Sequence, residues 1–140
     1  MNPLVFSISV TPRPKGRPRA TIRGRFPQLY TDTETRKYEA AIKACAQMFM
    51  AGRAPLEGPL SVSLRFRLQP PKSMTKRLRA AVLAGEEAYQ GNCDADNLAK
   101  AVLDPLNKVC WGDDVQIMRL FITKAASERA GIDIRIEELR

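Results

Sequence analysis

Histidine is absent from all 140 residues. That removes every imidazole general base, every Ser-His-Asp arrangement and every imidazole metal ligand. Cysteine is scarce. Cys45, Cys93 and Cys110 are scattered without CxxC spacing, which excludes a disulfide framework and a thiolate zinc site and leaves reduced thiols as the expectation. No apolar run approaches the roughly 18–20 residues that cross a bilayer, and the opening MNPLVFSISVTPRPKG lacks the charged-then-apolar order of a secretory leader. A cytoplasmic protein without a membrane segment is expected. Aromatics are few, with one Trp, three Tyr and five Phe. None falls in the basic stretch from Arg13 to Arg25, so a base-stacking platform for single strands is not indicated. Any catalysis must run on carboxylates, lysine, tyrosine, hydroxyls or a thiol, most simply with a hard metal held by oxygen ligands.

Hydrophobic residues make up 44% of the chain and charged residues 27%, the balance of an ordinary folded domain rather than a disordered segment. The length fits one domain over residues 1–140. The formal net charge is +8, unevenly spread. Residues 1–53 carry ten lysines and arginines against three acids, residues 54–92 six against three, and residues 93–140 seven against nine. A basic first part would attract a polyanion, and an acidic last third would concentrate carboxylates. Arg13, Lys15, Arg17, Arg19, Arg23 and Arg25 are mostly arginines, whose planar forks suit phosphate oxygens. A solvated basic surface with no partner is the plainer alternative and would be favoured for scattered lysines, but an arginine-heavy cluster suits phosphates better than solubility requires.

Alternation of Leu4, Phe6, Ile8 and Val10 predicts a first strand. Residues 11–27 hold four prolines and two glycines, which predicts an extended arm or wide loop. Asp32 or Thr33 can cap a helix from near Glu34 to Gly52, with Tyr38, Ala41, Ile42, Cys45, Met48 and Phe49 as its buried face. Leu60–Leu68 alternates as a strand with one wet face. Ser73 is placed to cap a short helix Met74–Leu83 that carries Lys76, Arg77 and Arg79, and Gly85–Gly91 reads as a loop. A third helix is expected from Asp96 to about Val109, interrupted near Pro105, and two strands close the chain at about Val115–Lys124 and Ile132–Glu137. The order β-α-β-α-α-β-β implies an α/β (α+β) fold, a small mixed sheet with helices packed on it.

The segment Cys93-Asp94-Ala95-Asp96-Asn97-Leu98-Ala99-Lys100 carries the most chemistry. In an extended entry to a helix, Asp94 and Asp96 point the same way and can share a cation. On the helix itself Asp96, Asn97, Lys100 and Asp104 fall within an arc of roughly 100°, opposite Leu98, Val102, Leu106 and Val109. A plainer account treats Asp94 or Asp96 as a cap and Lys100–Asp104 as a surface i,i+4 pair. Further on, Trp111-Gly112-Asp113-Asp114-Val115 places two acids before an apolar strand, where a solvated turn is the alternative. Three or four carboxylates around one point repel each other, and Mg²⁺ or Mn²⁺ is the simplest stabiliser.

DADNLAKAVLDPLNKV followed by WGDDVQI resembles the signature of the RusA family of Holliday junction resolvases, and PRPKGRPRA followed by Tyr30-Thr31 is similar to the basic N-terminal pattern of many members. The likeness spans nearly the whole chain. Cys93 departs from it, standing where proline or arginine is common, and Pro105 falls inside the motif helix. The resemblance implies that Asp94, Asp96 and Asp114 are catalytic and bind metal and that Lys100 is the active-site lysine; Asp113, Asn97 and Asp104 are candidate supporting residues. It further implies a homodimeric, Mg²⁺-dependent endodeoxyribonuclease, with Mn²⁺ able to substitute, cutting four-way DNA junctions by symmetric paired nicks in recombination and repair. The cations Arg13, Lys15, Arg17, Arg19, Arg23, Arg25, Lys76, Arg77 and Arg79 would bind the DNA backbone. The alternatives are a non-catalytic basic nucleic-acid-binding module and a nuclease for other branched DNA such as flaps or forks.

Overall fold

A computed structural model describes residues 3–15 and 33–140, together with the backbone of two strands at 19–23 and 26–30. Strand β1 (Leu4–Ile8) is followed by β2 (Arg19–Arg23) and β3 (Phe26–Tyr30), helix α1 (Thr33–Met50), strand β4 (Leu60–Leu68), helices α2 (Lys76–Leu83) and α3 (Ala95–Leu106), a 3₁₀ turn at Asp114–Gln116, and strands β5 (Ile117–Ala126) and β6 (Gly131–Glu138). Four strands form one sheet in the order β1-β6-β4-β5, with β4 and β5 parallel and the other neighbours antiparallel. The second sheet is the hairpin β2-β3.

Alternation fixes which face of the large sheet is inside. Phe6 and Ile8 of β1, Leu60, Val62, Leu64 and Phe66 of β4, and Ile132, Ile134 and Ile136 of β6 are buried on one face. They pack with Tyr38, Ile42, Ala46 and Met50 of α1 and with Leu98, Ala99, Ala101, Val102 and Leu106 of α3. Each large side chain so buried is worth about 1.5–3 kcal/mol. The opposite face is wetter. Register sets Val5, Arg135, Ser63 and Phe121 side by side there, and Val5, Arg135 and Phe121 are exposed. The sheet's β5 edge has no strand beyond it among the described residues.

The α+β class with a mixed sheet agrees with the alternation in the sequence, and several details differ. The residue 11–27 arm contains most of a hairpin, so the order becomes β-β-β-α-β-α-α-β-β. Prolines exclude a helix but are compatible with a strand at an edge, and Pro27 lies in β3. The α1 stripe is Thr35, Tyr38, Ile42, Ala46 and Met50, and Ala41, Cys45 and Met48 face outward. Spacings of three and four starting from Tyr38 permit either set, and the apolar type of Met48 misled the assignment. Thr75, rather than Ser73, caps α2, its hydroxyl accepting from the Leu78 amide. Helix α3 ends at Leu106, one residue past Pro105 and not at Val109. There the chain reverses through Lys108, whose φ of 72° is left-handed, and Val109 and Cys110 donate back to the Leu106 carbonyl. Closing strand β5 starts at Ile117, because residues 114–116 form the 3₁₀ turn.

Candidate functional site

Asp94 is the N-cap of α3 by backbone geometry, at φ −69° and ψ 134°, yet its side chain makes no capping hydrogen bond. Asp96 follows in the first turn. Both are exposed, and neither side chain has a hydrogen bond or ion pair among the described residues. Two carboxylates without partners sit where the positive end of the helix dipole favours anions. The loop before them is fixed from the sheet. Lys124 Nζ, from the C-terminal part of β5, donates to the carbonyls of Gln90 at 2.7 Å and Cys93 at 3.0 Å.

Asp114 lies beyond the far end of α3. Its Oδ1 accepts from Nε1 of the fully buried Trp111 at 2.7 Å. Trp111 pairs by backbone bridges with Leu56 and Asn107, which anchors the turn below the start of β4. Asp113 has a structural task. Its carboxylate accepts from the Val115 amide at 3.0 Å, while Gln116 Oε1 accepts from the Asp113 amide at 2.9 Å and Gln116 Nε2 donates to Leu56 and Gly58. That reciprocal capping box holds the 3₁₀ turn.

Along the polar side of α3, Lys100 Nζ donates to Asp104 Oδ1 at 2.7 Å, and Lys15 reaches Asp104 Oδ2 at 3.0 Å. Lys15 also pairs with Glu39 of α1, and its backbone amide donates to the Asn97 carbonyl at 3.0 Å. Burial alone would raise the Asp104 carboxyl, but the hydrogen bonds from Lys100 and Lys15 outweigh it and hold Asp104 below its ordinary 3.8. For Lys15, burial would lower the ammonium, and its bonds to Glu39 and Asp104 instead hold it above 10.5. The depressed acid contributes stability that is lost as pH falls below 3.8, and the raised base contributes stability that is lost as pH rises above 10.5. The network is therefore intact throughout the neutral range.

The proposed DNA-contacting cations fare differently from one another. Arg13 pairs with Glu34 at 3.5 Å and its amide donates to the Tyr38 hydroxyl. Lys15 is held between two acids, and Arg79 donates to the Pro70 carbonyl. Lys76 and Arg77 are exposed on α2. Arg17 and Arg25 lie outside the described residues, and of Arg19 and Arg23 only the backbone of β2 is described. Two cations escaped the sequence reading. Arg36 and Lys43 of α1 line, with Glu39, Asp104 and Asn107, a cleft of about 310 Å³ beside α3. Their i,i+7 spacing, one face round from the buried stripe, was the available signal.

Aspartate oxygens are hard donors of the kind Mg²⁺ and Mn²⁺ prefer, and Asp94 and Asp96 keep all of theirs free of partners among the described residues, so the donor chemistry fits a hard divalent ion. The single chain does not gather the set. Among the described residues no three acidic or thiol groups stand close enough to hold a metal. The reason is topological. Asp94 is at the start and Asp114 beyond the end of a 12-residue helix, which is about 18 Å long. Gly91 lies against Leu68 at one end of β4, whereas the Asp114 turn hangs from Leu56 and Gly58 at the other.

No helix among the described residues is long and apolar enough to cross a membrane. Compared with known proteins, the chain is 25% identical over 141 residues to "Uncharacterized protein YqaN" of Bacillus subtilis (strain 168), covering 99% of each chain. The family model for the endodeoxyribonuclease RusA matches residues 9–137, a span that holds the α3 entry, the lysine network and the Trp111–Asp114 turn. The chain belongs to the RusA endodeoxyribonuclease family.

Proposed function

We propose that the protein is a divalent-metal-dependent endonuclease that resolves four-way DNA junctions by paired nicks during recombination and repair, acting in the cytoplasm as one nuclease domain over residues 1–140. The observation that carries this reading is the α3 entry, where an N-cap aspartate does not cap and a second carboxylate two residues on also lacks a partner among the described residues. Asp94, Asp96 and Asp114 would hold Mg²⁺ or Mn²⁺. When bound, such an ion supplies a water of lowered pKa and neutralises charge on the phosphodiester oxygens. Lys100, with its side chain 59% exposed, presents an ammonium to the phosphate on which charge develops. Lys76 and Arg77 on α2, Arg36 and Lys43 on α1, and the arginines of residues 13–25 would neutralise neighbouring phosphates with little regard to base sequence.

The separation of Asp94 from Asp114 favours a homodimer. Strand β5 is an edge with Val115 at 82%, Met118 at 71% and Phe121 at 56% exposure in or next to it, apolar side chains that a lone protomer leaves in water. Antiparallel pairing of two β5 edges about a two-fold axis would satisfy the open edge and draw those apolar side chains out of water. It would also set the Asp114 end of one strand beside the Lys124 end of the other, where Asp94 and Asp96 begin α3. Each site would then draw Asp94, Asp96 and Lys100 from one protomer and Asp114 from its partner. Phe121→Asp combined with Met118→Asp should convert the dimer to a folded, inactive monomer by sedimentation velocity. A double variant that stays dimeric and active would overturn the β5 interface.

The deciding experiment incubates purified protein with labelled four-way junction, flap, fork and linear duplex, with Mg²⁺, with Mn²⁺ and with EDTA. Paired, symmetric nicks in the junction that need the metal are expected. Binding without cutting under every condition would leave a basic binding module, and preferential cutting of flaps or forks would reassign the substrate.

A further inference from the structure

Lysine is a flexible choice for a fixed task. Lys100 has a four-carbon stem and an exposed head, and among the described residues its one hydrogen-bonding partner is Asp104. The order of that pair along α3 is informative. An i,i+4 pair stabilises a helix best when the acid is N-terminal to the base, because both charges then complement the dipole; here the base comes first. Helix stability is a poor reason for the pair. Its surroundings suggest a better one. Exposure falls along the chain of charges, from 59% for the Lys100 side chain to 26% for Asp104, 25% for Lys15 and 23% for Glu39. Asp104 is thus gripped from behind, on Oδ2, by a half-buried lysine, itself tied to α1 through Glu39 and to α3 through the Asn97 carbonyl. Oδ1 is left for Lys100.

We propose that Asp104 is the positioning residue for Lys100: Lys15 fixes the Asp104 carboxylate, and Oδ1 holds the Lys100 ammonium at the place where it meets the scissile phosphate. The inference rests on the reading of Lys100 given under Proposed function. It gives a specific role to Asp104, which the family resemblance leaves as a supporting residue, with Asp96 facing the ion and Asp104 facing the lysine. It also gives Lys15 a task inside the protein, so that the basic segment starts from the polar face of α3 instead of ending there as another phosphate contact. A competing account makes Glu39–Lys15–Asp104 a staple between α1 and α3, with Lys100 a bystander.

The two accounts separate in single-turnover kinetics on a synthetic four-way junction, with junction affinity measured in EDTA and thermal stability measured alongside. Asp104→Asn should lower the cleavage rate by about 10–100-fold at saturating enzyme, because a misplaced charge costs in the transition state and not in binding. Junction affinity should stay close to that of the wild type, and the melting temperature should fall only by the share of stability that the Asp104 charge contributes, no more than in Glu39→Gln. Asp104→Glu, which keeps the carboxylate, should recover much of the rate. In the background of Lys100→Ala, Asp104→Asn should cost nothing further, since the two act as one unit. Glu39→Gln, which cuts the staple at α1 and spares the Lys100 contact, should stay within about threefold of the wild-type rate. Rate losses that follow melting temperature across Glu39→Gln and Asp104→Asn alike would overturn the proposal in favour of the staple. An additive double variant would overturn it as well. If Lys100→Ala is dead while Asp104→Asn cuts normally, this inference alone fails; if Lys100→Ala cuts normally, the catalytic reading of Lys100 fails first.

Discussion

Asp94→Asn and Asp114→Asn, each inactive on a four-way junction by itself, should regain nicking when the two proteins are unfolded together and refolded as a mixture. Each substitution keeps the shape of the side chain and removes one charged donor, so each should lower cleavage by on the order of 10³-fold while leaving the fold in place. Junction binding should hold or tighten, because fewer carboxylates face the phosphates. Recovery on mixing follows from the separation described above. If one site takes Asp94 from one protomer and Asp114 from the other, a mixed dimer contains one site with both substitutions and one with neither. Random pairing makes about half the dimers mixed, so roughly a quarter of all sites are restored, and they should nick one strand rather than two. Asp94→Asn mixed with Asp96→Asn is the control. Both residues lie on the same α3 entry, so every site keeps one defect and activity should stay lost. A mixture of Asp94→Asn and Asp114→Asn that forms mixed dimers yet remains inactive would place both aspartates in one protomer's site and remove the reason for the shared arrangement.

What the sequence could and could not reveal follows the reach of its signals. Periodicity is local, and it located β1, β4, β5, β6 and the three helices because each carries its own alternation or its own 3.6-residue stripe. The polar arc of Asp96, Asn97, Lys100 and Asp104 was legible for the same reason, as helix geometry fixes it whatever α3 packs on. The hairpin β2-β3 was not, since prolines and glycines in residues 11–27 register only as the absence of a helix. Pairing across space left less trace. Nothing in the order of residues tells that Lys15 meets Asp104 or that Lys124 holds Cys93, because those contacts depend on how the N-terminal segment and β5 lie against α3. That Asp94, Asp96 and Asp114 serve one ion came from the family resemblance, and spacing could not show how they meet, because a 12-residue helix separates Asp94 from the Asp114 turn within the chain. The two acids of Gly-Asp-Asp-Val looked alike and differ completely, one capping a 3₁₀ turn and the other bonded to a buried indole.

That indole carries the other large effect. Trp111 is the one tryptophan of the chain and among its largest fully buried side chains, set between Leu56 and the end of α3. Truncation by Trp111→Ala removes most of that volume and should cost about 3–5 kcal/mol, a substantial share of the 5–15 kcal/mol that a domain of this size commands. Trp111→Phe separates packing from positioning. It keeps an aromatic ring in the core but has no N–H for Asp114 Oδ1, which is then free to turn away. Stability should fall by about 1–2 kcal/mol, read from urea unfolding. Junction cleavage should fall further than that loss explains, by about 10–100-fold, because groups that orient a metal-binding carboxylate cost this much when removed. The Asp114→Asn variant supplies the cross-check: adding Trp111→Phe to it should leave cleavage no slower, since the indole then has no carboxylate to orient. Full activity in a folded Trp111→Phe would mean that the tryptophan only fills the core and that Asp114 needs no help to face its ion.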